Sequence, residues 1–225
     1  MKNVVYGSSF RKPPGYKIVF GEGEEKHYFG GDSWDLPECP ICRTCMHQII
    51  TLDLGDNRLT DLREVGGNEI ALFSCLNCSM CWADQFFKID FKNRRAIIIR
   101  QCQQDKEQME EEYRMTTPLP CIPVSLVGLK KEEYPTSEEK NDNIFSELGT
   151  TYIGRVLGKP VLAQEALNNR CCECKKEMKF VALVTGENGI EEMEEREVDL
   201  FFGEFILYFS LCITCSVMKV ESQSI

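Results

Sequence analysis

Two sets of four cysteines, in the same order in each half of the chain, constrain the fold of this 225-residue chain most. They form the Cys-x-x-Cys pairs Cys39/Cys42, Cys75/Cys78, Cys171/Cys174 and Cys212/Cys215. A spacing of two residues fits the tight turn of a zinc knuckle, and two knuckles supply the four thiolates that a structural zinc prefers. The sequence therefore predicts two four-cysteine sites of the zinc-ribbon type and two zinc ions per chain.

Further cysteines compete for these ligand positions. Cys45 and Cys81 each make another Cys-x-x-Cys pair, and Cys172 has only one residue between it and the next cysteine. The spacing does not decide whether one of these three replaces a chosen ligand. The isolated Cys102 and Cys121 are predicted to be free buried thiols, which behave as small hydrophobes.

The cysteine content also bears on the compartment. The first 20 residues contain no apolar core of a signal peptide, and no apolar run is long enough to span a membrane. A soluble cytoplasmic protein without a membrane partner is therefore expected. In a reducing compartment, cysteine pairs hold metal more often than they form disulfides, so the 13 cysteines favour zinc.

The charge of the chain limits its partners. With 36 acidic and 26 basic residues the net charge is −10. Nucleic-acid binding usually requires a Lys/Arg surface that displaces counterions from phosphates, so nucleic acid is disfavoured as a partner. Complementary charge favours a protein partner with a basic surface, such as a toxin.

The two halves agree beyond their cysteines. Cys39, Cys42 and Met46 recur as Cys171, Cys174 and Met178, and 171−39, 174−42 and 178−46 each equal 132. Upstream, Tyr28-Phe29-Gly30 is matched with Tyr152-Ile153-Gly154. This pattern predicts an internal duplication that produces two similar lobes, residues 1–128 and 148–225, joined by a linker at 129–147.

Apolar runs place strands around the knuckles. Residues 47–54 and 179–184 follow the first knuckle of each half, and 67–74 and 203–210 precede the second. They are short and rich in Ile, Val, Leu and Phe, which is typical of strands.

Other segments complete the expected organisation. Residues 86–91 and 95–100 are predicted to form a hairpin, 101–115 a solvated helix and 187–199 an acidic exposed loop. The expected fold class is α+β with β dominant.

The chain resembles the YwqG-like family of bacterial proteins of unknown function. More distantly, it resembles the programmed cell death protein 2 family with its paired Cys-x-x-Cys repeats. The resemblance rests on Tyr28-Phe29-Gly30-Gly31, Cys39 to Met46, Phe73-Ser74-Cys75, Phe209-Ser210-Leu211-Cys212 and the stretch from Ile153 to Gln164. It leaves residues 101–143 poorly matched, and Arg155 stands where the family's second glycine is expected. The resemblance implies zinc-knuckle repeats, and its eukaryotic members suggest nucleic-acid or ribosome association as an alternative function.

Few residues are available for catalysis. His27 and His47 are the only histidines, and His47 is expected to be a surface residue of a strand. The chain contains no phosphate-binding Gly-rich loop, His-Glu-x-x-His helix or Gly-x-Ser-x-Gly elbow. A catalytic zinc keeps an open position, which four thiolates would fill.

The sequence thus predicts a non-enzymatic, zinc-stabilised cytosolic protein that binds another protein. A specific version is an immunity protein that neutralises a toxin. The alternatives are a nucleic-acid- or ribosome-associated zinc-ribbon protein and a thiol/redox enzyme.

Overall fold

The fold is dominated by antiparallel β structure. The computed structural model describes residues 14–78, 84–101, 114–115, 117–186 and 205–225. Within them, eleven strands form one sheet: β1 Gly15–Phe20, β2 His27–Gly31, β3 His47–Asp53, β4 Glu69–Ser74, β5 Gln85–Asp90, β6 Arg95–Arg100, β7 Leu119–Gly128, β8 Gly154–Leu157, β9 Lys179–Thr185, β10 Phe205–Cys212 and β11 Val217–Ser224. Helix α1 spans Glu138–Glu147, and 3₁₀ segments span Asn57–Val65 and Lys131–Glu133.

The β-dominant fold predicted from the apolar runs is confirmed. Strands β3 and β9 follow the first knuckle of each half, and β4 and β10 precede the second. The predicted hairpin is also confirmed, since β5 pairs with β6 in antiparallel register. The predicted helix at 101–115 and the acidic loop at 187–199 lie outside the described residues, apart from residues 101 and 114–115.

The strand order is β4-β3-β2-β7-β1-β8-β9-β10-β11-β5-β6. Strand β1 pairs with β8, and β5 pairs with β11. The first and last strands of the predicted second lobe, β8 and β11, are therefore hydrogen-bonded to strands of the predicted first lobe. The boundaries at 128 and 148 remain a prediction, but the sheet runs across them.

The largest hydrophobic cluster extends along the whole of this continuous sheet. Its buried side chains come from all eleven strands, for example Ile18, Phe87 and Val156. The ring of Phe73 in β4 meets that of Phe87 in β5 edge-on, with 4.8 Å between centroids. The sheet therefore curls until β4 lies beside β5, although these strands are far apart in the hydrogen-bonded order.

The segment predicted as a linker carries regular structure. The side chain of Ser137 accepts a hydrogen bond from the backbone N–H of Lys140 and caps α1. Ile144 of α1 packs in a smaller core cluster with Tyr152. The buried Arg155 of β8 donates to the Tyr152 hydroxyl (2.6 and 2.9 Å) and to the Glu133 carbonyl (2.7 Å), so it attaches this segment to the sheet.

Strand register aligns the pair β3–β4 of the first half residue by residue with the pair β9–β10 of the second half. His47 lies opposite Ser74, and Lys179 lies opposite Leu211. Adding 132 to each residue number of β3 and 137 to each residue number of β4 gives the residue pairs of β9 and β10. The register shift after the second pair also occurs at the same place in each half. Cys75 therefore corresponds to Cys212, since 212−75 = 137. By the same offset, Phe73 corresponds to Ser210 and not to Phe209.

The match between Tyr28 and Tyr152 is also wrong. Tyr28 lies opposite Thr51 and Arg155 opposite Leu183, so Arg155 is the counterpart of Tyr28. Gly30 and Gly31 then correspond to Leu157 and Gly158, since 157−30 and 158−31 both equal 127. All four have positive φ: 70° and 90° in the first half, 56° and 70° in the second. Arg155 therefore does not occupy the position of the second glycine.

Candidate metal centres

The structure brings the eight predicted cysteines into two groups of four. Site 1 is Cys39, Cys42, Cys75 and Cys78, and site 2 is Cys171, Cys174, Cys212 and Cys215. Within each site the sulfur atoms all lie within 4.8 Å of one another. Tetrahedral zinc with Zn–S bonds of about 2.3 Å requires sulfurs about 3.8 Å apart. Both donor sets therefore fit a four-thiolate metal such as zinc, although their role as ligands remains a prediction.

The cysteines of both sites are free thiols. The Sγ atoms of Cys42 and Cys75 are 3.5 Å apart, and those of Cys174 and Cys212 are 3.6 Å apart. A disulfide requires a separation of about 2.05 Å. The pairing therefore agrees with metal binding rather than with covalent cross-links.

The first knuckle of each site is the same tight turn. The N–H of Arg43 donates to the Cys39 carbonyl at 2.9 Å, and that of Lys175 donates to the Cys171 carbonyl at 3.0 Å. Arg43 and Lys175 have φ values of 64° and 61°. This left-handed residue reverses the chain directly after the second cysteine, so both sulfurs can point to one centre while the chain continues into β3 or β9.

The second knuckles lie at the ends of the neighbouring strands. Cys75 directly follows β4, and Cys212 is the last residue of β10. Since β3 pairs with β4 and β9 with β10, each pair of strands begins and ends at its own site. A metal ion at either site would therefore join the ends of two adjacent strands.

The competing cysteines have other positions. Cys45 is exposed, and its thiol donates to the Leu36 carbonyl at 3.5 Å. Cys172 packs beside site 2 but is not a member of that four-sulfur group. Cys121 is exposed, so the prediction that it is buried is wrong: it lies on the outer side of β7. Cys81 and Cys102 lie outside the described residues.

The prediction of a surface position for His47 is wrong. His47 is fully buried, because β3 lies within the sheet and is covered on both faces. Its Nδ1 accepts from the backbone N–H of Leu76 at 3.2 Å, so Nε2 carries the proton and faces the Thr117 hydroxyl at 3.0 Å. Burial lowers the pKa of His47. This neutral imidazole supports the second knuckle of site 1, between Cys75 and Cys78.

A third group of potential ligands comprises Glu25, His27 and Asp56. His27 Nε2 lies 3.0 Å from an Asp56 carboxylate oxygen, and Arg58 contacts both acidic side chains. Burial raises the pKa of Asp56, but hydrogen bonds from Arg58 and His27 outweigh it and the net pKa is lowered. The Arg58 guanidinium contacts the carboxylates that a metal cation would bind, so this group is a hydrogen-bonded network.

The thiol pKa values show how the sites behave without metal. At site 1, hydrogen bonds from Cys75 and then Cys78 lower the pKa of Cys39, while the pKa values of Cys75 and Cys78 are raised. At site 2, the Lys176 backbone N–H is the main cause that lowers the pKa of Cys174 to about 7. Its hydrogen bond with Cys174 raises the pKa of Cys215 to about 12.

Metal binding is therefore expected to release protons. Burial raises the pKa of Cys212, so Cys212 and Cys215 hold protons at pH 7 without metal and lose them to become ligands. About two protons or more should leave for each zinc bound at site 2, and zinc affinity should fall as pH is lowered. Titration calorimetry in buffers with different ionisation enthalpies measures this release. Binding without proton release would contradict the protonated state of these two thiols.

Comparisons with protein-family models, curated proteins and solved structures found no match to this chain. Among the residues that the structure describes, no helix has both the length and the apolar character needed to cross a membrane. The function is therefore inferred from the two sites and the fold around them.

Proposed function

We propose that this chain is a non-enzymatic, zinc-stabilised protein that acts by binding another protein. The observation that carries the proposal is the pair of four-sulfur sites at the ends of paired strands. Four thiolates complete the tetrahedral coordination of zinc and leave no position for water or substrate. Such sites hold a fold together, and a rigid sheet with exposed loops is a suitable frame for a binding surface.

The environment of the histidines supports a non-enzymatic function. His27 and His47 are both buried, and each uses both ring nitrogens in hydrogen bonds. Neither ring is positioned to act as a general base towards solvent. A thiol/redox activity finds little support, because eight cysteines converge in two tetrads rather than in one exposed dithiol.

The proposed partner is a protein with a basic surface. The net charge of −10 would speed association with such a surface, and a basic toxin is the specific candidate, with this chain as its cytoplasmic immunity protein. Co-purification from the native host tests this version. Recovery of a toxin encoded next to this chain would support it, whereas recovery of ribosomal proteins would favour ribosome association.

Metal counting tests the proposed sites directly. Native mass spectrometry of the purified protein should find two zinc ions per chain, because each site has its own complete donor set. Cys75→Ser and Cys212→Ser should each reduce the count by one, whereas Cys121→Ser should leave it unchanged. One ion or none in the unmodified protein would contradict the proposal.

A further inference from the structure

The two sites have matching backbone geometry but different surroundings. Site 1 has one partly exposed cysteine, Cys42, and its other three are buried. Site 2 has two partly exposed cysteines, Cys174 and Cys215. The counterparts Cys78 and Cys215 thus differ in their access to solvent, although 215−78 equals the same 137 that relates β4 to β10.

A hydrogen bond adds to this difference. The side-chain amide of Gln101, itself buried, donates from Nε2 to the Cys39 sulfur at 3.4 Å. A donor to a thiolate ligand stabilises its negative charge and holds it in place. Among the described contacts of site 2, no side-chain amide donates to Cys171, the counterpart of Cys39.

A surface groove reaches site 2. It has a volume of about 700 Å³, and Cys215 forms part of its wall together with residues 214 and 216. Residues of β5 also line the groove, together with Ile97 of β6, which has an exposure of 56%. A small ligand in this open groove would lie against Cys215, one of the four cysteines of site 2.

The groove contains charged side chains of both signs. Glu173 is paired with Lys88 at 3.0 Å, and Asp90 accepts hydrogen bonds from the N–H and side-chain amide of Asn93. Lys92 is exposed and lines the same groove. Its ammonium group can pair with a carboxylate on an incoming ligand.

From these contrasts we propose that site 2 releases its metal to a small carboxylate-bearing chelator that enters along this groove, and that it does so faster than site 1. Cys215 is the cysteine of site 2 that lines the groove, so a donor atom of the chelator would replace this ligand, and the freed thiolate would be protonated by solvent. Lys92 holds a second carboxylate of the chelator. The inference rests on the zinc content proposed above, and it assigns a structural role to site 1 and an exchangeable one to site 2.

Chelator-driven zinc release from the full chain tests the inequality of the sites. With excess EDTA and a colorimetric zinc indicator, the first zinc should leave about tenfold faster than the second, a contrast within the range that contacts to metal ligands produce. N-ethylmaleimide added after the first phase, followed by peptide mass spectrometry, should label Cys174, Cys212 and Cys215 before Cys39 and Cys75. Release of both ions at one rate, or labelling of site 1 first, would overturn the proposal.

Two variants of one exposed strand face test the route. Ile97→Trp narrows the groove and should slow the first phase of zinc release by up to about 10-fold. Residues that contact metal ligands have effects of this size. Ile99→Trp, two residues along the same face of β6 and outside the groove, should not change it. Equal rates in the two variants would exclude entry through the groove.

The role of Lys92 has its own control. Lys92→Gln should slow release by EDTA but not by the neutral chelator 1,10-phenanthroline. Lys26→Gln, which changes an exposed lysine outside the groove lining and outside both sites, should slow neither. An equal effect of Lys92→Gln on both chelators would refute the carboxylate contact. A protein purified without zinc would instead contradict the proposed function itself, so the two failures are distinguishable.

Discussion

Removal of metal from both sites is expected to abolish the cooperative unfolding transition of this protein. A structural zinc site contributes on the order of 10 kcal/mol to folding, and a whole domain is stable by only about 5–15 kcal/mol. Each site joins the ends of two paired strands, and every strand contributes to the same core. The free energy of folding that is lost with both ions should therefore exceed the free energy of unfolding of the whole fold. Excess chelator at pH 7, followed by circular dichroism during heating, measures the effect, and added zinc should restore the transition.

Single-cysteine variants provide the matched comparison. Cys75→Ser removes one ligand of site 1, and Cys45→Ser alters an exposed cysteine only a few residues from that site and outside its four-sulfur group. We expect Cys75→Ser to lose most of the stability contributed by site 1 and Cys45→Ser to melt as the unmodified protein does. A chelated protein with an unchanged melting temperature would show that the sulfur groups do not hold the fold.

Gly30 of β2 lies against the backbone of β7 and is expected to tolerate no side chain. Gly30 has a φ of +70°, and a Cβ atom there would overlap the Pro120 carbonyl oxygen and lie 2.9 Å from its carbonyl carbon. The obstacle is backbone of the paired strand β7, which cannot rotate away. Gly30→Ala should therefore cost about 4 kcal/mol or more, since backbone strain and the loss of strand pairing add to each other. Urea unfolding of the zinc-loaded protein measures the loss.

Gly66→Ala isolates the conformational part of this effect. Gly66 has a φ of +79°, but nothing lies within 4 Å of an added Cβ, because it caps the 3₁₀ segment at the surface. This variant should lose only about 1–2 kcal/mol, the cost of the left-handed conformation for alanine. Equal losses of unfolding free energy in the two variants would contradict the close approach of β2 to β7 at Gly30.

The local elements were predictable because their signals lie close together in the chain. A spacing of two residues between cysteines specifies a knuckle, and short apolar runs beside it specify strands such as β3 and β9. The hairpin β5–β6 follows from two apolar runs around a polar turn. These patterns describe neighbours in sequence, and the offset of 132 related the first knuckle of one half to that of the other.

The errors arose where distant strands decide the outcome. A surface position was predicted for His47 from its own strand alone, but both faces of β3 are covered and His47 is buried. Cys121 looks like a core thiol, but the alternation along β7 turns it outwards. The match of Tyr28 with Tyr152 failed because strand pairing, and not side-chain identity, decides which residues correspond.

The sequence by itself therefore determined the Cys-x-x-Cys pairs and the β-rich character, because each depends on spacings within a few residues, and it left Cys45, Cys81 and Cys172 as competing ligands. Only the tertiary structure decided that β1 and β5 pair across the predicted lobes, that Cys75 corresponds to Cys212, and that site 2 borders an open groove. Strand pairing and burial depend on which surfaces meet in space. That information is shared among residues more than a hundred positions apart.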